Sequence, residues 1–241
     1  MKRKLLGMLT PSSNTVLEPM TAALLDGLPG ISAHFARFRV TEISLAGAAL
    51  KQFDPTPILE AAKLLADARV DVICWNGTSS GWLGFDADER LCAQIQEATG
   101  IPSCTSVLAL NEVLQRTGAT TLGLVTPYVD DVQAAIVDNY RAAGIDCVAE
   151  RHLGQSVNFS FSEIGPATIE QSVREVASAR PQAITTFCTN MNAAALIASL
   201  EAELGIPIYD TISTAVWKSL AMAGVDPRGV KGWGRLFEVA P

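Results

Sequence analysis

Short, unbroken apolar runs alternate along this chain with longer stretches of helical period. Leu5 to Leu9, Ala33 to Val40, Val70 to Trp75, Thr121 to Val125, Ile145 to Glu150 and Ala183 to Cys188 predict strands. Continuous rather than alternating apolarity suits a parallel sheet covered on both faces. Between the runs lie helices with readable ends. Thr56-Pro57 predicts a start, as N-cap and first helical residue, ahead of Leu65. Gly165-Pro166 opens another helix, in which Ile169, Val173 and Val176 share a face. Val129, Val132, Ile136 and Tyr140 make a third stripe, ending near Gly144. Strand, helix, strand is an α/β pattern.

The pattern also repeats. Asp67-Ala68-Arg69-Val70-Asp71-Val72-Ile73 lies without a gap on Ser178-Ala179-Arg180-Pro181-Gln182-Ala183-Ile184, each a helix end running into a buried strand. Downstream, Thr99-Gly100-Ile101-Pro102 is echoed by Leu204-Gly205-Ile206-Pro207, and Thr105-Ser106-Val107 by Ser213-Thr214-Ala215. The expectation is a duplicated unit: two similar α/β lobes, parallel sheets flanked by helices, with residues 1–112 in the first and 113–216 in the second. Residues 217–241 are expected to pack back on the first lobe. Ligands of open α/β sheets sit beyond the carboxyl ends of the strands, so two facing copies share a cleft. The ungapped register then sets Gly77 against Cys188, Thr78 against Thr189 and Ser79 against Asn190.

Composition narrows the partners. The 241 residues are 49% hydrophobic and 18% charged, with 18 Lys and Arg against 25 Asp and Glu, for a net charge of −7. With no basic stripe, nucleic acid is not an expected partner. No apolar run approaches the roughly 18 to 20 residues of a membrane span. The basic start, Lys2-Arg3-Lys4, leads into an apolar run that soon meets Pro11-Ser12-Ser13-Asn14, which reads as a first strand rather than a signal peptide. Five cysteines, without CxxC or a nearby histidine at metal-ligand spacing, suggest reduced thiols, a cytoplasmic setting and no structural metal.

Pro11-Ser12-Ser13-Asn14-Thr15, Gly77-Thr78-Ser79, Thr126-Pro127-Tyr128-Val129-Asp130-Asp131, Cys188 and Gly232-Trp233-Gly234-Arg235-Leu236-Phe237 follow one another in a familiar order. In these residues the chain resembles the aspartate/glutamate racemase superfamily, in the branch holding arylmalonate decarboxylase and maleate cis-trans isomerase. The resemblance implies two pseudo-two-fold-related lobes with the active site between them. It implies a small dicarboxylate substrate and no cofactor. Racemases and maleate isomerase of that superfamily resemble two-thiol enzymes, one cysteine on each lobe. Gly77-Thr78-Ser79 has the decarboxylase form, with Cys188 as the retained thiol, and Tyr128 matches a carboxylate-binding tyrosine. Asn14 and Asn158 instead match carboxylate-binding asparagines of the isomerases, and Thr189-Asn190 stands where decarboxylases carry two glycines.

The chemistry expected from this set is decarboxylation of a malonate-like diacid. Thr78, Ser79, Tyr128 and turn N–H groups would hold the carboxylate or enediolate, apolar Trp75, Phe187 and Val125 would face the departing carboxylate, and Cys188 would protonate the carbanion. An unperturbed thiol, with a pKa of about 8.5, is mostly protonated at neutral pH. Cys74 points to the other sheet face, and Cys92 and Cys104 fall beyond the loop. A dicarboxylate isomerase or racemase is the alternative, and a carboxylate-binding protein without turnover a third. Each residue also has a plainer reading: Cys188 as a small core residue, Gly77-Thr78-Ser79 as a capped turn, Asn14 as a helix cap, Tyr128 as packing, the stretch around Asn158 as a loop. His34 and His152 read as strand or surface residues, Asp86-Ala87-Asp88-Glu89 as the charged first turn of a helix, Glu18 as unpartnered, and Trp82 and Trp233 as packing. A homo-oligomer is in keeping with an enzyme of this size.

Overall fold

The computed structural model describes residues 3–47 and 51–241. In it the apolar runs become strands of two parallel sheets. The first holds β1 (Lys4–Pro11), β2 (Ile31–Phe38), β3 (Val72–Trp75) and β4 (Ser103–Thr105), in the order β2-β1-β3-β4. The second holds β5 (Thr121–Thr126), β6 (Asp146–His152), β7 (Ala183–Thr186) and β8 (Ile208–Asp210), in the order β6-β5-β7-β8. The two orders are the same topology used twice.

The duplication reaches individual atoms. Arg69 and Arg180, equivalent in the repeat, are the two non-glycine residues with positive φ among those described, both at 52°. Each ends a helix through its own N–H, donated to Ala66 O at 2.8 Å and to Ala177 O at 2.9 Å respectively. Asp71 Oδ2 accepts from Leu5 N at 2.8 Å, and its counterpart Gln182 Oε1 accepts from Thr121 N at 3.1 Å. Gly7 and Gly123 occupy matching places in β1 and β5. A Cβ there would press on Val70 at 2.9 Å or on Pro181 at 3.1 Å, again equivalent residues. Close passage of the crossover loop over the central strand fixes glycine at both sites.

Helices cover both sheets: α1 (Leu17–Leu25), α2 (Pro55–Asp67), the one-turn α3 (Ser80–Leu83), α4 (Phe85–Thr99), α5 (Ser106–Thr117), α6 (Asp130–Ala142), α7 (Pro166–Ala177), α8 (Ile197–Leu204) and α9 (Thr211–Met222). The stripes of α6 and α7 are buried as their period implies. Helix α2 starts two residues before the expected Thr56: Asp54 is the cap, accepting from Thr56 N at 2.8 Å, and Pro55 is the first helical residue. Asp54-Pro55 carries the same cap-then-proline logic, and Pro57 still falls in the first turn, where a missing N–H is harmless. Strands β4 and β8 lie outside the apolar runs because each is three residues long and ends on a polar residue. The run Ala183 to Cys188 ends as strand at Thr186, leaving Cys188 in the turn beyond. Helix α9 packs against α1, α5, β3 and β4 of the first sheet, with Thr214 Oγ1 donating to Ser106 O at 2.9 Å. No helix of the described residues is long and apolar enough to cross a membrane.

Candidate active site

The turns after β1, β3, β5 and β7 meet where the two sheets point their carboxyl ends at each other. After β3 the chain passes through Asn76, Gly77, Thr78 and Ser79 into α3; after β7 it passes through Phe187, Cys188, Thr189 and Asn190. One cavity is bordered by Gly77, Thr78, Ser79, Tyr128, Asn158, Cys188 and Thr189, and closed by Pro11, Val40, Ile43, Phe53, Trp75 and Trp82. Its volume is about 20 Å³, room for a single water. Asn14 and Asn190 stand behind this lining. None of the other cysteines borders it. Cys74 and Cys104 are buried side by side in β3 and β4, while Cys92 and Cys147 lie elsewhere, half-buried.

Hydrogen bonds stitch the walls together across the lobes. Thr78 Oγ1 and Tyr128 Oη are 2.6 Å apart. Thr189 Oγ1 donates to Asn76 O at 3.0 Å and Asn14 Nδ2 donates to Thr189 O at 3.0 Å. The plainer reading of Asn14 also holds, because its Oδ1 accepts from Val16 N at 3.0 Å and Leu17 N at 2.9 Å at the start of α1. Asn190 Oδ1 accepts from Thr15 N at 3.0 Å, and its Nδ2 donates to Asn158 O at 2.6 Å. Asn158 Nδ2 donates to Ser13 Oγ at 2.8 Å, and Ser13 Oγ to Val40 O at 2.7 Å. Glu18 has a partner after all: Arg37, 2.7 Å away, which also donates to Ser12 O and Asn14 O and so braces the first loop.

The electrostatics favour protonated groups. Cys188 is 3% exposed, and burial pushes its thiol up to about 12, with the Asp210 carboxylate acting in the same direction. Contacts from the Asn190 and Met191 N–H groups and the Tyr128 hydroxyl pull the other way without cancelling this. Asp210 is itself buried and pushed up to about 6, held by Thr186 Oγ1 at 2.9 Å and by the N–H groups of Ile212 and Ser213. Burial also lifts the Tyr128 phenol well above its ordinary range. At neutral pH thiol and phenol both carry their protons.

Gly77 supplies no side chain to the wall, and none fits there. A Cβ at 77 would lie 2.0 Å from the Trp75 ring. Trp75 thus borders the cavity as expected, but Phe187 and Val125 do not. Phe187 packs edge-to-face with Tyr140 and covers Gly81, and Val125 lies within the second sheet. Trp82 is more than packing, since it closes the cavity with its ring edge-on to Tyr128 at 5.3 Å. Trp233 is half-buried against the core. Of the apolar lining, Val40 ends the predicted run 33–40 but lies beyond the strand, while Ile43 in a loop and Phe53 at the end of a three-residue 3-10 turn carry no periodic signal.

Asp86 and Asp88 sit in the first turn of α4, as the acidic run implies, and Asp88 is only 2% exposed, so burial pushes it up to about 6. His152 bridges Glu150 at 2.9 Å and Asp130 at 3.0 Å, whose carboxylates raise its pKa, and His34 meets Ser32; neither borders the cavity. Among the described residues, no group of three His, Cys, Asp or Glu is placed to hold a metal ion.

A family model described as arylmalonate decarboxylase matches residues 7–237. The chain is 24% identical over 238 residues to arylmalonate decarboxylase of Bordetella bronchiseptica, covering 97% of this chain and 96% of that protein. It is 28% identical over 242 residues to maleate isomerase of Nocardia farcinica, covering 96% and 94%. A cysteine-to-serine mutant of the Nocardia farcinica maleate cis-trans isomerase, solved with a covalently bound succinylcysteine intermediate, superposes with a TM-score of 0.88 at 25% identity, over 97% of this chain and 98% of that one.

Proposed function

We propose, on the premise that the chain belongs to the arylmalonate decarboxylase family, that it decarboxylates a malonate-like dicarboxylate without a cofactor, using Cys188 as its one proton donor. The observation that carries this reading is the asymmetry of the cavity, with a thiol on the second-lobe wall and Gly77 backed by the Trp75 ring on the first. Two-sided proton transfer needs a second donor facing the first. Decarboxylation needs one.

The bond from the α-carbon to one carboxylate breaks heterolytically, releasing CO2 and leaving the electron pair as an enediolate. Thr78 and Tyr128 hydroxyls and the turn N–H groups hold its oxygens, acting where charge develops. The departing carboxylate faces Trp75, Ile43 and Val40, which disfavour its charge and favour neutral CO2. The enediolate carbon takes the Cys188 proton, and the resulting thiolate recovers a proton from water. A thiol lifted to about 12 is in the donor form throughout the neutral range and returns to it readily. Because the cavity holds only one water, the loops around 41–43 and 156–158 must part to admit substrate. They are joined by Ile43 N to Ser156 O at 2.8 Å and Asn158 N to Thr41 O at 2.9 Å.

A maleate-type isomerase is the second reading, favoured by Asn14 and Asn158. In this structure both amides are committed to protein partners. The succinylcysteine of the Nocardia farcinica enzyme sits on a cysteine in a molecule from which another has been removed, whereas here one cysteine borders the cavity. The test is CO2 release from malonate, methylmalonate and ethyl(methyl)malonate beside conversion of maleate to fumarate. CO2 release without fumarate supports decarboxylation; fumarate without CO2 replaces it with the isomerase; tight binding with neither leaves a binding protein.

A further inference from the structure

The Trp75 ring does two things that follow from its position rather than from the reaction. It fills the space into which a side chain at 77 would project, with three ring atoms within 2.0 to 2.6 Å of that Cβ. It also stands between two cavities. Beside the site cavity of about 20 Å³ is one of about 340 Å³, bordered by Ile58, Leu83 and Leu91 and, at its polar side, by Asp88, Arg90 and Gln94; Trp75, Phe53 and Ser79 line both. A ligand-sized pocket is roughly 300 Å³ or more, so the larger cavity has the room that the site lacks. Trp75 is held in place: it is 1% exposed, its ring tilts against Phe38 at 5.0 Å, and its strand pairs with β1 and β4.

We propose that Trp75 is a specificity-determining residue. It takes the place of a residue-77 side chain as the thiol-free wall and, with Phe53 and Ser79, partitions the site from the larger cavity, limiting the substrate's α-substituent to about methyl or ethyl size. This deepens the malonate reading above and rests on it for the substrate class. It also makes positions 75 and 77 a coupled pair, so a side chain at 77 is tolerated only when the ring at 75 is smaller.

The test uses thermal unfolding of the wild type, Trp75→Val and Trp75→Phe, each with and without Gly77→Ala, and does not read CO2. Overpacking at 77 is expected to lower Tm by roughly 4 to 10 °C in the wild type and by clearly less in Trp75→Val. The same proteins are then heated with 2-methylsuccinate or 2-phenylsuccinate, dicarboxylates that have no malonyl carboxylate to lose. The methyl acid is expected to raise the wild-type Tm more than the phenyl acid, and Trp75→Val to reverse that order. Trp75→Phe moves in the same direction if the valine variant does not fold. Equal Tm losses from Gly77→Ala in both backgrounds, or an unchanged order of the two acids, overturns the role of Trp75. Absence of binding by both acids overturns the specificity claim, while the Gly77→Ala comparison still judges the steric one. None of these results depends on whether the substrate loses CO2, so they fail separately from the decarboxylase reading.

Discussion

The Thr78 hydroxyl and the Tyr128 phenol oxygen, 2.6 Å apart and both buried, join the two lobes at the floor of the cavity. One comes from the turn after β3 and the other from the turn after β5, so their bond forms only when the lobes are correctly docked. The pair also presents two polar groups side by side to a ligand oxygen. In the proposed mechanism the pair is the cradle for a carboxylate or enediolate oxygen, neutral at physiological pH because burial keeps the phenol protonated.

Tyr128→Phe is therefore expected to lower kcat about 100-fold, the usual loss for one donor to a developing oxyanion. The accompanying stability loss is about 1 kcal/mol, from Thr78 left without its partner. Steady-state kinetics and a melting curve read the two separately. Unchanged kcat would remove Tyr128 from the cradle.

The Cys188 thiol should make the rate insensitive to pH on its own account between 7 and 10, because deprotonation is delayed to about 12. As the proton donor it is active below that value and lost above it. A pH–rate profile of kcat tests the sign. A tenfold rise per pH unit across 7 to 9 would mean that the thiolate does the work.

Asp88 carries a stability prediction of definite sign. Burial raises it from 3.8 to about 6, so the folded chain holds this proton more tightly than the unfolded one. Its stabilising contribution is complete below about pH 4 and is lost as pH rises through 6. Oδ2 of Asp88 has no hydrogen-bond partner, so above pH 6 the group is a buried, under-satisfied charge. Asp88→Asn is expected to match the wild type near pH 4 and exceed it by about 2 to 3 kcal/mol at pH 8. Thermal unfolding of both proteins from pH 4 to 8 checks this; a difference that does not vary with pH contradicts it.

The sheet and its duplication were readable because the crossover loops repeat without a gap, down to the arginines at 69 and 180. Strands β4 and β8 were not, since three residues ending on Thr105 or Asp210 leave no apolar signature. The juxtaposition of Gly77 and Cys188 came from the same repeat, and both border the cavity. What the alignment could not show is where side chains turn. The Trp75 ring folds over Gly77, Asn14 serves a helix cap and a cross-lobe bond at once, and Asp88 is buried within a run of charged residues. These depend on long-range packing, which hydrophobic period does not encode.

A single thiol facing the Gly77 wall requires proton delivery to one face only. Ethyl(methyl)malonate, turned over by the wild-type protein, gives 2-methylbutyrate whose new stereocentre records the face that received the proton. One enantiomer is expected, with no exchange of its α-hydrogen on prolonged incubation in D2O and no product from Cys188→Ala. Racemic 2-methylbutyrate, α-hydrogen exchange, or undiminished turnover by Cys188→Ala would contradict it.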